Sequence, residues 1–498
     1  MIRRHRRPGL AAAGLLTLGL AAAPLAATAA PFRFERLDIP ALDKPGALAN
    51  AWADYDGDGD LDLATGFKDG SVVLLRNDRG ALVPSGVRFD VGGRDARALA
   101  WGDYDADGDV DLYVGTSPTP RHRNRLFRND RGGVFTEVGA ELGIAPPDAS
   151  TRQVSWIDID RDGDLDLFVA QRAAANQLFR NDDGKFRDVA SELGLADPRK
   201  TVGACFFDAD QDGDLDVFVA NQAGDRDGYF RNDDGRFVDV AEALGLTPLQ
   251  RPADEGSVGC AVGDYDNDGD FDLFVAAYGK NRLHRNDGGT FTEVAAAAGL
   301  LADDHHVAGG WADVDQDGWL DLYVTTFRTP NPTLKDHLYR NRAGQFVDEL
   351  PAGLDVVPAD HGVQWADLDS DGDLDLALTH NDDKVGAGRV YRNDSPDAAH
   401  RGALKVAAVD SRGVALVPGA EIRLFDAAGR LLGARMMDTG GGYDSQNAMP
   451  VHFGTLGLRK VTVSVTFLTP QGRRTVTRRD VDPAALAGKT LVVRQPGR

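Results

Sequence analysis

The sequence predicts an all-β chain, a seven-bladed β-propeller followed by a small C-terminal β-sandwich domain. Three observations predict it. The phrase Asp-x-Asp-x-Asp-Gly-x-x-Asp begins at Asp54, Asp103, Asp158, Asp208, Asp264, Asp313 and Asp367, with spacings of 49, 55, 50, 56, 49 and 54 residues. A period of about fifty residues marks stacked supersecondary units, each burying its neighbour's face. Every phrase then runs into a short strand-like apolar stretch, such as Leu167-Phe168-Val169-Ala170. Finally, a turn rich in Asn, Asp and Gly, such as Asn181-Asp182-Asp183-Gly184, separates two further strand-like runs. Four strands in about fifty residues make one propeller blade.

Residues 1–29 read as a cleaved export signal. Arg3, Arg4, Arg6 and Arg7 form a basic start, Leu10 to Ala26 an apolar stretch, and Ala27-Thr28-Ala29 a small-residue cleavage site. No later segment offers about eighteen consecutive apolar residues, so no membrane span is expected in the mature chain.

Residues 30–400 carry the blades. In the third repeat Val154-Ser155-Trp156-Ile157 is the first strand and Leu167 to Ala170 the second; strands at 177–181 and 186–189 flank the turn. Trp52, Trp101, Trp156, Trp311 and Trp365 stand two residues before a first aspartate, where they are expected to pack blade against blade. The last repeat stops at Tyr391-Arg392-Asn393-Asp394 without an outer strand. The missing piece stands at Phe32 to Leu37, which is predicted to pair there and remove an exposed edge. Residues 401–498 hold strand-like runs at 403–409, 421–427, 460–468, 473–479 and 489–494, which suit a sandwich.

Net charge is −23, and 34 of the 78 acidic residues are aspartates of the seven phrases, so the acidity is local. A nucleic-acid partner is excluded by that sign. Cys205 and Cys260 precede the fourth and fifth phrases by three and four residues. A disulfide suits an exported chain, but unequal offsets aim side chains differently on regular strands, so two buried thiols are expected.

The phrases are candidate metal loops. Their ligands are Asp54, Asp56, Asp58, Asp60 and Asp62 in the first, and Asp103, Asp105, Asp107, Asp109 and Asp111 in the second. Asp158, Asp160, Asp162, Asp164 and Asp166 form the third, and Asp208, Asp210, Asp212, Asp214 and Asp216 the fourth. Asp264, Asp266, Asp268, Asp270 and Asp272 form the fifth. The sixth has Asp313, Asp315, Asp317, Trp319 and Asp321, and the seventh Asp367, Asp369, Asp371, Asp373 and Asp375. Positions 1, 3, 5 and 9 are Asp in every copy, and position 6 is Gly, which permits a sharp turn. If position 7 contributes only its backbone carbonyl, Trp319 leaves the sixth site intact. The position of an EF-hand's bidentate Glu holds Thr65, Val114, Val169, Val219, Val275, Val324 or Leu378, so that motif is excluded. A flexible oxygen cage favours calcium, about one ion per blade, over magnesium. Zinc would want His or Cys, which the loops lack.

With these loops between first and second strands, the chain resembles the FG-GAP/VCBS repeat proteins over roughly residues 31 to 400. The tail is similar to the ASPIC/UnbV domain of the cartilage acidic protein family, through Gly419-Ala420-Glu421-Ile422, Gly442-Tyr443-Asp444-Ser445-Gln446 and Val451-His452-Phe453-Gly454. The resemblance implies an extracellular calcium-binding module with an adhesive or interaction role, and it brings no catalytic residues.

The face opposite the loops collects polar side chains. Arg97, Arg152, His305, His306 and His361 lie on connections entering first strands, and His380 on a second-strand exit. They are the candidate ligand-binding residues, because loops on a rigid scaffold often carry function. Two functions follow: an exported module binding a protein or polysaccharide, or a carbohydrate-active lyase or hydrolase at that face. The chain has no Gly-x-Ser-x-Gly or His-Glu-x-x-His motif, which favours binding.

Overall fold

The computed structural model describes residues 33–497 apart from 93–94, 118–122, 147–149, 301–302, 328–333, 352, 355–359, 383–386, 396–401, 414–415, 439, 441–442 and 448. The leader expected at residues 1–29 lies outside the described residues. Among the described residues, no helix is long and apolar enough to cross a membrane.

Four-stranded antiparallel units follow one another along the chain as a β-propeller, the fifth and sixth joined in one sheet where Tyr278 to Lys280 pairs with Asp303 to His305. The first is built from Ala47–Ala53, Asp62–Phe67, Val72–Asp78 and Ala81–Pro84. The inner strands of the next six are Ala96–Gly102, Thr151–Ile157, Thr201–Phe207, Gly256–Gly263, Asp303–Ala312 and Asp360–Ala366. They are rich in Ala and Gly because they converge at the crowded centre. A Cβ at Gly259 would stand 2.6 Å from the Val307 carbonyl oxygen of the next blade.

The ring closes at both ends of the repeat. Phe34–Arg36 pairs antiparallel with Arg389–Asn393, placing Phe34 opposite Asn393 and Arg36 opposite Tyr391. Asn77 Nδ2 of the first blade donates to the Leu368 carbonyl of the last at 2.8 Å. That bond repeats around the disc: Asn129 donates to Tyr55, Asn181 to Tyr104, Asn286 to Ala209 and Asn341 to Tyr265. The tryptophans do the same nearer the centre. The indole N–H of Trp101, Trp156, Trp311 and Trp365 reaches a carbonyl of the preceding blade, at Ala51, Ala100, Ala261 and Gly310.

Cys205 and Cys260 form a disulfide, which corrects the expectation of two thiols. The offset argument applied to residues on one face of one sheet. Neighbouring blades pack face to face, so a side chain looking forward and one looking back must have opposite parity along their strands. Offsets of three and four residues meet that condition.

The C-terminal residues build two sheets. One orders Val451–Gly454, Ala403–Val409 and Thr490–Arg494; the other orders Leu431–Met436, Glu421–Phe425, Val461–Thr469 and Gly472–Val481. Leu404, Val406, Ile422, Leu424, Phe453, Val463 and Phe467 fill the space between them. Leu431–Met436 and Val451–Gly454 were not among the strands read from the sequence; the second lies in the Val-His-Phe-Gly stretch. The sandwich rests on the loop face of the propeller, and one of its connections enters the central channel.

Candidate functional site

Each loop is folded by its own carboxylates. In the first, Asp54 accepts the backbone N–H groups of Gly57, Asp58 and Gly59 at 2.8–3.1 Å, and Asp58 accepts that of Asp60 at 3.0 Å. Asp62 accepts from Tyr55 N at 3.1 Å and from Asn77 N at 2.7 Å, so position 9 ties the loop to the third strand. Position 7 turns its side chain outward, where Asp60 accepts from Arg79 N at 3.0 Å. Two residues of each loop have positive φ. Position 6 is always Gly, but position 4 is Gly57, Ala106, Arg161, Gln211, Asn267, Gln316 or Ser370, at φ 55° to 75°. This second left-handed position was not read from the sequence, since only one of its seven occupants is glycine. Its side chains link the loops: Asn267 Nδ2 donates to Gly318 O at 3.1 Å, and Gln316 Nε2 to Gly372 O at 2.8 Å.

The remaining oxygens converge. Carboxylate oxygens of Asp54, Asp56 and Asp58 lie within 4.8 Å of one another, as do those of Asp103, Asp105 and Asp111, of Asp158, Asp160 and Asp166, and of Asp208, Asp210 and Asp212. Several are buried without a donor: Asp158 Oδ1, Asp208 Oδ1 and Asp264 Oδ2 at position 1, and Asp56 Oδ1 and Asp266 Oδ1 at position 3. Burial, reinforced by neighbouring aspartates, raises Asp62 and Asp158 to about 8 and Asp111 and Asp272 to about 9. Such a donor set, all oxygen and mutually repelling, fits a hard cation.

The sandwich delivers positive charge to the same face. Arg473 bridges Asp208 and Glu421, and Lys405 Nζ lies 2.9 Å from Asp367 Oδ2. Burial raises Asp264 and Asp313 to about 7 even though Arg435 pulls both down. Arg423 Nη2 donates to Gly269 O at 2.7 Å, and His452 Nε2 to Gly372 O at 2.8 Å. A Cβ at Gly454 would collide with Asp313 and with the Gln316 backbone, which explains a glycine there.

The connection between Leu431–Met436 and Val451–Gly454 forms a finger through the channel. Asp438 closes its base by accepting from Gly440 N at 2.9 Å and Asn447 N at 2.7 Å. Gly440 O accepts from Gln153 Nε2 of the third blade. Ser445 and Gln446 add a short parallel strand beside Asn50 and Ala51. The Gln446 amide brackets the Trp101 backbone, accepting from its N–H at 2.7 Å and donating to its carbonyl at 3.0 Å. At the tip, Tyr443 packs 5.5 Å from the His361 ring. Asp444 Oδ2 lies 3.7 Å from Arg97 Nη1 and 3.5 Å from His361 Nδ1.

The residues expected to line an open ligand face are therefore placed differently. Arg97, Arg152, His306, His361 and His380 are all buried, and His305 is half-buried against Tyr278 with ring centroids 4.8 Å apart. Arg97, Arg152 and His361 surround Asp444, whose carboxyl burial raises to about 7 while Arg97 and Arg152 pull it down. His380 Nδ1 lies 2.6 Å from Asp360 Oδ1, and His306 Nδ1 3.1 Å from Asn281 Nδ2. Burial holds the His306 and His361 imidazoles neutral. The chain's own finger fills the channel at the place assigned to an outside ligand. No repeat period could show that, because the finger lies outside the repeats.

Five overlapping stretches, residues 54–114, 103–169, 158–219, 208–275 and 264–324, match the FG-GAP-like repeat. The chain belongs to the FG-GAP-like repeat family. As an FG-GAP-like protein it is similar to cartilage acidic protein 1 of Homo sapiens, 25% identical over 373 residues, covering 70% of this chain and 54% of that protein. The Mus musculus protein of the same name is 24% identical over 381 residues, covering 70% and 56%. The FG-GAP-like chain thus spans about half the length of these relatives. Among solved structures, an Agrocybe aegerita lectin recognising non-reducing terminal N-acetylglucosamine is 16% identical, covering 70% of this chain and 94% of its own, at TM-score 0.41. A rhamnogalacturonan lyase is 15% identical, covering 85% and 78%, at TM-score 0.37.

Proposed function

We propose that the protein is an exported calcium-binding propeller that serves as an adhesion or interaction module for a protein or polysaccharide, with calcium in a structural role. The orphaned carboxylate oxygens inside loops already tied to the third strand carry this reading. An ion held there would join three segments of one blade, and the position-1 aspartates of the last four loops also face cationic residues of the sandwich. Calcium would thus stiffen both the disc and the seat of its cap. Positions 1, 3, 5 and 9 would supply carboxylates, and position 7 its carbonyl. The disulfide between blades suits an oxidising compartment, in keeping with the leader-like N-terminus. A catalytic role at the opposite face is the weaker reading, because five of its six candidate side chains are buried within the chain.

Melting of the purified protein in excess chelator and in millimolar calcium tests the metal role. A binder of the folded state raises the melting temperature by mass action, so a shift of many degrees is expected. Identical melts would overturn the structural role of calcium. Glycan arrays and pull-downs from the producing cell's envelope test the interaction role, for which binding without turnover is expected.

A further inference from the structure

The sixth blade departs from the others at two positions, Trp319 in its loop and Arg342 in its hairpin turn. In five repeats the arginine of Arg-Asn-Asp pairs outward with the aspartate two residues on. These pairs are Arg128–Asp130 at 2.7 Å, Arg180–Asp182 at 3.0 Å, Arg231–Asp233 at 2.8 Å, Arg285–Asp287 at 2.9 Å and Arg392–Asp394 at 2.9 Å. The side chains of these arginines are 31–45% exposed. The sixth blade reads Arg340-Asn341-Arg342, so the outward partner is replaced by a like charge. Arg340 turns inward and its side chain is only 3% exposed. Its Nε lies 3.1 Å from Asp321 Oδ1, and Nη2 contacts Asp315 Oδ2. These two aspartates are positions 9 and 3 of the sixth loop.

We infer that Arg340 occupies the sixth cage as a built-in cation bridging two of its carboxylates, so this loop takes no calcium. A planar guanidinium with several N–H donors suits two converging carboxylates. A dication in the same cage would sit beside that fixed charge in a poorly solvated place, where like charges repel strongly. The third loop shows the contrast: Arg180 stays 3.9 Å from Asp160, its position-3 aspartate, and keeps Asp182 as its closer partner. Trp319 fits the same assignment. In the first, third, fourth and fifth loops the position-7 carboxylate accepts a backbone N–H from the hairpin turn, at Arg79, Asp183, Asp234 and Gly288. An indole cannot accept that bond, and the sixth loop starts with one carboxylate fewer. The two departures are then one change: a loop that has lost one acidic group and gained an internal counter-ion.

This inference rests on the calcium reading of the other loops. The test is calcium content per molecule in the full chain, stripped with chelator, reloaded with calcium chloride, desalted and measured by elemental analysis. Arg342→Asp restores the outward partner of Arg340 at a surface position, and Arg340→Gln removes the internal cation. Each variant is expected to carry one more calcium than the unaltered protein. Should Arg340→Gln fail to fold, Arg342→Asp alone decides. Equal, non-zero counts in all proteins would overturn the inference and leave the calcium reading standing. No calcium in any of them would overturn both.

Discussion

Asp444 faces Arg97 inside the propeller channel, 3.7 Å from carboxylate to guanidinium, and so joins the tip of the C-terminal finger to the second blade. Arg152 and His361 complete the surroundings of this carboxylate. The pairing makes the channel a socket for the chain itself. Asp444→Ala would leave two arginines buried with less counter-charge. Removing one partner of a buried pair costs about 3–5 kcal/mol; Arg97 keeps Asp95 at 3.2 Å, so the lower end is expected. Urea unfolding checks this, and adding Arg152→Met should recover part of the loss. An unchanged midpoint for Asp444→Ala would show that the finger does not hold the channel.

The calcium-free protein should lose stability as pH rises. Asp62 and Asp158 titrate at about 8, and Asp111 and Asp272 at about 9, because of burial and then neighbouring aspartates. In the unfolded chain they titrate at about 3.9. Groups raised in the folded state contribute stability that is fully present below the unfolded value and is lost as pH climbs through the folded one. Melts in chelator should therefore be highest near pH 5 and fall toward pH 9. Calcium needs the ionised carboxylates, so the gain it gives should grow over the same window. A chelated melt that rises with pH would contradict the assignment.

Loss of the Cys205–Cys260 bond should weaken the ring. The cysteines are 55 residues apart, and closing a loop of that size constrains the unfolded chain by about 4 kcal/mol. Cys205→Ala with Cys260→Ala is expected to lower the guanidinium midpoint. The same treatment with reductant should affect the unaltered protein and spare the double variant.

The asparagine at each hairpin acts as a peg between blades. Asn129 is buried, donates to Tyr55 O at 2.8 Å and accepts from Arg131 N at 3.2 Å. Asn129→Ala leaves a buried carbonyl without its donor, a loss of about 1–3 kcal/mol. Asn129→Asp should cost at least as much, since it puts a carboxylate oxygen against that carbonyl. Thermal melts at fixed calcium check both, and an unaffected Asn129→Ala would reduce the peg to ordinary turn chemistry.

Much of the propeller is legible in the sequence because its determinants are local or periodic. The loop aspartates recur at the repeat period, and the strands beside them alternate at period two. Phe34–Arg36 is legible as the seventh blade's outer strand because that blade is one strand short. The Arg-Asn-Asp turns show their recurrence too, but not the use made of Asn, whose partner carbonyl belongs to the preceding blade. The two extra sandwich strands were hidden by a short apolar run and by a motif read only as a family mark.

By itself the sequence determined the repeat, the carboxylate make-up of its loops and the strand that closes the ring. Each of these follows from residue spacing and from what Asp, Gly and alternating apolar side chains do within a few positions of one another. Only the tertiary structure decided that Cys205 meets Cys260, that Arg340 turns into the sixth loop and that Asp444 fills the channel. Those outcomes depend on which faces meet across blades and on where a long connection travels. A pattern along the chain does not encode either until the sheets are packed.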